Sequence, residues 1–231
     1  MTTPMKLMKN QQSGFTLVEI AIVLVIIGLL LGGILKGQEL INSAKVKNLA
    51  QDFKTVPLYI YGYQDRFKAL PGDDKNAVTN LPVQTPAALA GNSNGVIEGL
   101  WNAEDGTSES AIFWQHVRVA NFAPGPTAIA DPNYYPKNVE GGRVGITSNT
   151  GVTQQPISGM SGTYVFCSAG LLGKYAKQLD TTLDDGNTAT GSIRVVNNGA
   201  APGSPALPTT GTGATTSYVD DAASYTVCMA F

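Results

Sequence analysis

Residues Phe15–Leu35 read FTLVEIAIVLVIIGLLLGGIL, 21 residues carrying one charge, Glu19. As a helix rising about 1.5 Å per residue, this run covers ~30 Å, the thickness of a bilayer's hydrocarbon core. The preceding segment, MTTPMKLMKNQQSG, holds Lys6 and Lys9 and no acid. Positive residues ahead of an apolar span keep the N-terminus in the cytoplasm, which sends the rest of the chain to the other side. An ordinary secretory signal has a shorter apolar core, followed by a small-residue cleavage site. Here the small residue Gly14 comes before the run, and no clear A-x-A site follows it. The apolar segment is therefore expected to be retained.

Glu19 is the residue that needs explaining. A carboxylate well inside an apolar span costs about 2.5–3.5 kcal/mol on insertion scales, and such residues normally have a partner and a function. A cut between Gly14 and Phe15 would create an α-amino group one helical turn from Glu19. That amine could pair with Glu19 of its own chain or of a neighbour, and the second pairing would also set the register between subunits. A plain signal anchor with a stray acid is the alternative.

The run Gly14-Phe15-Thr16-Leu17-Val18-Glu19, with its apolar continuation, resembles the class III signal of type IV pilins and type II secretion pseudopilins. The resemblance implies cleavage after Gly14 by a prepilin peptidase, N-methylation of Phe15, and a role for Glu19 in assembly. It implies as partners that peptidase, other pilin-like subunits and the inner membrane. It places a single-pass chain in a bacterial inner membrane with its C-terminal domain in the periplasm, and later in a pilus or pseudopilus. Many members carry a proline near the end of the apolar segment. Here that region reads Gly32-Gly33-Ile34-Leu35-Lys36-Gly37, where glycines weaken a helix by about 1 kcal/mol each relative to Ala. Local melting on assembly and close helix packing through small residues are both compatible with it.

Leu49, Phe53, Val56 and Ile60 lie on one apolar face, so the helix is expected to continue amphipathically to about Lys68, kinked at Pro57. Leu70-Pro71-Gly72-Asp73-Asp74 then signals a turn. The expected fold class is α+β and pilin-like. The apolar half of a long N-terminal helix is transmembrane, and its amphipathic half packs on a C-terminal antiparallel β-sheet domain. The boundaries are 1–14 for the leader, 15–37 for the membrane or filament-core helix, 38–68 for its continuation and 69–231 for the head.

Further along, a helix is expected over Glu109–Phe122, capped by Ser108, and another over Leu171–Leu183. Strands are expected at Arg143–Thr147, Gly162–Cys167, Ser192–Val196 and Tyr225–Met229. Asn197–Thr216, rich in small uncharged residues, reads as an exposed loop. Leu70-Pro71-Gly72-Asp73, the stretch from Glu109 to His116, and Leu183-Asp184-Asp185-Gly186 also resemble a group of proteobacterial prepilin-like proteins, with no activity implied.

Only 14% of residues are charged, whereas Gly numbers 26 and Pro 13, a balance that suits a loop-rich surface domain. The net charge of −2 gives no reason to expect nucleic-acid binding. Cys167 and Cys228 are the two cysteines and His116 is the one histidine, so a Cys/His zinc site is not expected. On export the cysteines are expected to form a disulfide, against the alternative of two buried thiols. Asn92, Asn94 and Glu98 resemble half of a calcium loop, though a turn rich in Asn and Gly explains them too. His116 is expected to be a packing or surface residue. The acidic pairs Asp73/Asp74, Asp184/Asp185 and Asp220/Asp221 are expected to be solvated turn residues. No nucleophile–His–acid set or phosphate loop is legible, so no enzyme is expected. A membrane-anchored extracytoplasmic binding module is the reading from a different class.

Overall fold

The structure is a computed structural model, and it describes residues 14–82, 87–149, 156–157, 159–197, 215–216 and 218–231. The leader with Lys6 and Lys9, and nearly all of the expected loop over Asn197–Thr216, fall outside the described residues. By internal contacts the chain forms two units, Met1–Ser43 and Ala44–Phe231. Helix α1 runs Leu17–Phe67, so the unit boundary falls inside it.

In the first unit, α1 is helical through Gly28, Gly32, Gly33 and Gly37, and a Cβ at any of the four would meet nothing within 4 Å. No residue from 14 to 43 is buried.

In the second unit the spacing read from the sequence is realised. Leu49, Phe53, Val56 and Ile60 are buried, joined by Val46, Ala50 and Tyr63. The helix assignment continues without a break through Pro57. This face packs into the main core with α3 (Glu109–Val119), α4 (Gly173–Leu183) and one face of the sheet. Phe53 meets Phe166 edge to face, with ring centroids 5.0 Å apart. The sheet is antiparallel, ordered β1-β2-β4-β3, with β1 Val144–Ser148, β2 Tyr164–Leu172, β3 Ile193–Asn197 and β4 Ser224–Ala230. Strand side chains alternate between faces. Tyr164 and Phe166 therefore join the main core, while Val165, Cys167 and Ala169 join a second cluster with Trp101, Ile157 and Met160. The short helix α2 (Ala77–Asn80) lies beside a third cluster that includes Tyr63 and Val119.

Two element ends differ from expectation, one for a local reason and one through a distant strand partner. Helix α3 stops at Val119 rather than Phe122. Asn121 adopts φ 63°, and the amides of Asn121 and Phe122 donate to the carbonyls of Arg118 and Val117, the Schellman closure of a helix C-terminus. Strand β2 runs to Leu172 because pairing with β4 resumes at Leu171↔Tyr225 after an irregularity beyond Ser168, so α4 begins only at Gly173.

Candidate functional site

The N-terminal residues form a compact polar knot at the start of α1. Thr16 precedes the first helical residue, and its carbonyl accepts from Ile20 N–H at 3.4 Å. The Thr16 backbone N–H and hydroxyl both donate to Glu19 Oε2 at 2.8 Å, while Glu19 N–H donates to Thr16 Oγ1 at 3.3 Å. This reciprocal pattern is a capping box, in which a Thr and a Glu three residues on satisfy two orphan donors of the helix end. Glu19 is thus in the first turn, where the helix macrodipole favours an anion. It is not an isolated charge deep in the span, as the apolar run alone suggested. Glu19 Oε1 has no hydrogen bond among the described residues. Phe15 is 85% exposed, and Gly14 is exposed beside it. The structure therefore places Gly14, Phe15 and Glu19 at one accessible helix end, with one carboxylate oxygen free to take a cationic partner.

A second constellation lies in the head. Asp73 and Asp74, expected as solvated turn residues, are buried. The Asp73 carboxylate accepts from Asn94 N–H at 2.9 Å and Gly95 N–H at 2.8 Å. Asp74 accepts from Tyr63 Oη–H, Asn80 Nδ2–H and Asn76 N–H. Glu109 accepts from Asn92 N–H and Glu98 N–H, both at 3.0 Å. Burial pushes the Glu109 carboxyl above its ordinary value, although these two amides favour its charged form. His116 is buried: its Nδ1 accepts from Gly72 N–H at 2.9 Å and its Nε2–H donates to Leu89 O at 2.6 Å. Burial lowers its pKa and keeps the ring neutral. Gly72 has φ 94°, and a Cβ there would come within 2.6 Å of Glu109 O. Two of the three motif segments that resemble prepilin-like proteins, Leu70–Asp73 and Glu109–His116, thus have a structural role, holding the loop over residues 91–99 against α3.

Asn92, Asn94 and Glu98 do come together. However, the amide nitrogens of Asn92 and Asn94 donate to the two oxygens of Glu98 at 3.0 and 2.9 Å. Their amide oxygens accept from Asn94 N–H and Val96 N–H. A calcium ion here would require both amides to turn over, so the donors as arranged do not fit it.

Cys167 and Cys228 face each other across β2 and β4, are both buried, and form a disulfide with a Cα–Cα separation of 4.1 Å.

The sequence reading passed over two groups. Arg118 is buried in α3 and donates to the carbonyls of Pro124, Pro126 and Tyr134. The other is Asp180, which lies with Asp184 and Asp185 at the end of α4. Its signal was available, because residues i and i+4 share a helix face.

Residues 9–35 match the model of a family described as the prokaryotic N-terminal methylation motif. Neither the curated proteins nor the solved structures give a match.

Proposed function

We propose, from a chain that carries the class III signal of type IV pilins and pseudopilins, that this protein is a non-catalytic structural subunit of a type IV pilus-like filament. The observation that carries the reading is the coincidence of that signal, over residues 9–35, with a helix end where Gly14, Phe15 and Glu19 are all accessible. The prepilin peptidase would cut between Gly14 and Phe15 and N-methylate the new amine. The amide nitrogen of Phe15 would thereby become a cation next to the capping box. Glu19 Oε2 already takes two donors from Thr16, so Oε1 is the atom left to receive the Phe15 amine of a neighbouring subunit. That contact would fix axial register, while the apolar side chains from Leu17 to Ile41 exchange lipid for one another in the filament core. Before assembly the same helix would anchor the chain in the inner membrane, with the head on the periplasmic side.

The test is intact mass and N-terminal sequence of membrane-extracted protein, made with and without prepilin peptidase. Loss of residues 1–14 and one added methyl on Phe15, only when the peptidase is present, is expected. An uncut chain, or a cut after the apolar run, overturns the reading.

A further inference from the structure

Helix α4 ends at Leu183, and its cap Asp184 donates its backbone N–H to Asp180 O at 2.7 Å. Asp180 and Asp184 are one turn apart, and Asp185 follows directly. One carboxylate oxygen from each of the three lies within 4.8 Å of the others. Carboxylates gather like this on many exposed turns without meaning, and Asp185 is exposed. Asp180 is different. It is 0% exposed, and neither of its carboxylate oxygens has a hydrogen-bond partner. The Gly186 backbone N–H lies near enough to favour its charged form but does not bond to it. Among the described residues no Lys or Arg forms an ion pair with any of the three acids. A buried carboxylate with no donor and two like charges beside it is a costly arrangement in an isolated chain.

The other two acids are held in place. Asp184 Oδ2 accepts from Ile193 N–H at 2.7 Å, and Asp185 accepts from Asn187 N–H and Thr190 Oγ1–H, each at 2.8 Å. Gly191, at φ 74°, leaves no room for a Cβ, which would come within 2.0 Å of Asp184 Oδ2. Such outer contacts orient carboxylates that serve as ligands. The negative end of the α4 dipole points at the same place and favours a cation there.

We propose that Asp180, Asp184 and Asp185 form a calcium site that ties the end of α4 to the entry of β3. Hard oxygen donors suit calcium and magnesium, and geometry separates the two. Calcium accepts flexible, irregular shells of oxygens at about 2.3–2.6 Å, whereas magnesium at about 2.1 Å demands near-octahedral geometry and keeps several of its waters. Three carboxylate oxygens gathered within 4.8 Å of one another suit such an irregular calcium shell, with water completing it. Three carboxylates with no further side-chain ligand give the weak affinity of extracellular calcium modules, about 0.1–1 mM. The site is separate from Asn92, Asn94 and Glu98, where amide donors already cover the carboxylate. It does not depend on the filament reading.

The full chain in detergent, stripped with EGTA, is titrated with calcium chloride or magnesium chloride while its thermal unfolding is followed. Calcium at 10 mM is expected to raise Tm by on the order of 5 °C, half-saturating at about 0.1–1 mM. Asp180→Asn is expected to abolish the shift. Asp185→Asn, at an exposed position that the fold tolerates, is expected to raise the half-saturating concentration at least about tenfold, a loss of ~1.4 kcal/mol of binding. If Asp180→Asn does not fold, Asp185→Asn decides alone. No calcium shift up to 10 mM, a shift undiminished in the variants, or an equal shift with magnesium overturns the proposal.

Discussion

From Leu17 to Ser43, α1 buries nothing, whereas from Ala44 to Phe67 it buries seven residues, Val46, Leu49, Ala50, Phe53, Val56, Ile60 and Tyr63. Helicity is common to both halves, and the arrangement of apolar residues separates them. In the first half apolar residues surround the axis, and Leu29, for example, remains 73% exposed. No single layer of protein can cover such a surface, so it needs lipid or several copies of itself. In the second half the apolar residues at helical spacing form one face that this chain's own head buries, while Leu58 and Tyr61 stay exposed off it. The first half is thus unsatisfied in one chain and the second is satisfied, a division that suits a subunit with one end built for assembly.

The strongest test of this division is Glu19→Ala. It removes the free carboxylate oxygen and the capping box from the unsatisfied half while leaving the head untouched. Processing at Gly14 and head stability are expected to persist. Filament yield is expected to fall by about tenfold or more, which corresponds to losing only ~1.4 kcal/mol per subunit contact. Sheared-filament yield, measured beside the Tm of the extracted chain, separates the two effects. Normal yield would remove Glu19 from the assembly mechanism.

The paired substitutions Phe53→Ala and Leu29→Ala probe the same contrast through stability. Phe53 is fully buried against Phe166, so truncation should cost about 3–5 kcal/mol of head stability. Leu29 touches no core, so its truncation should change head stability by less than about 0.5 kcal/mol. Denaturant unfolding of the full chain in detergent reads both. A comparable loss at Leu29 would mean that the first half is packed within the chain after all.

The halves of α1 also show what was legible in the sequence and what was not. The apolar run and the spacing of Leu49, Phe53, Val56 and Ile60 are local patterns, and the structure reproduces them. The strands around Cys167 and Cys228 were legible because β-branched and aromatic residues cluster there. The turn at Leu70–Asp74 was legible, but its acids Asp73 and Asp74 were misread as solvated because turn residues usually face water. Here Asp73 is buried by backbone amides some twenty residues away, at Asn94 and Gly95, and nothing local announces such a partner. The end of β2 was missed for a related reason, since Leu171 stays in the sheet only through its pairing with Tyr225. The capping role of Glu19 was written in Thr16-Leu17-Val18-Glu19 but was hidden by the apolar run around it. Asp180 sat in a polar-looking helix end, and only the tertiary packing reveals that it is buried.

The smallest expected effect concerns a charge inside the satisfied half. Asp52 is half-buried on α1 beside Phe53, and no hydrogen bond or ion pair serves its carboxylate among the described residues. Burial alone raises its pKa from 3.8 to about 6. The folded state therefore holds the proton more tightly than the unfolded chain does. The stability that this provides is complete below about pH 4 and is lost as pH rises through about 6. Above that range the ionised carboxylate works against folding, and Asp52→Asn relieves it. The substitution is expected to stabilise the chain by ~1 kcal/mol at pH 7, a figure discounted for partial exposure, and to give no gain at pH 4. Tm measured for both proteins across pH 4–8 checks the sign. A constant difference across that range would show that Asp52 is as well solvated as a charge on the exposed half of the helix, and that the boundary between the halves is less sharp than its apolar residues imply.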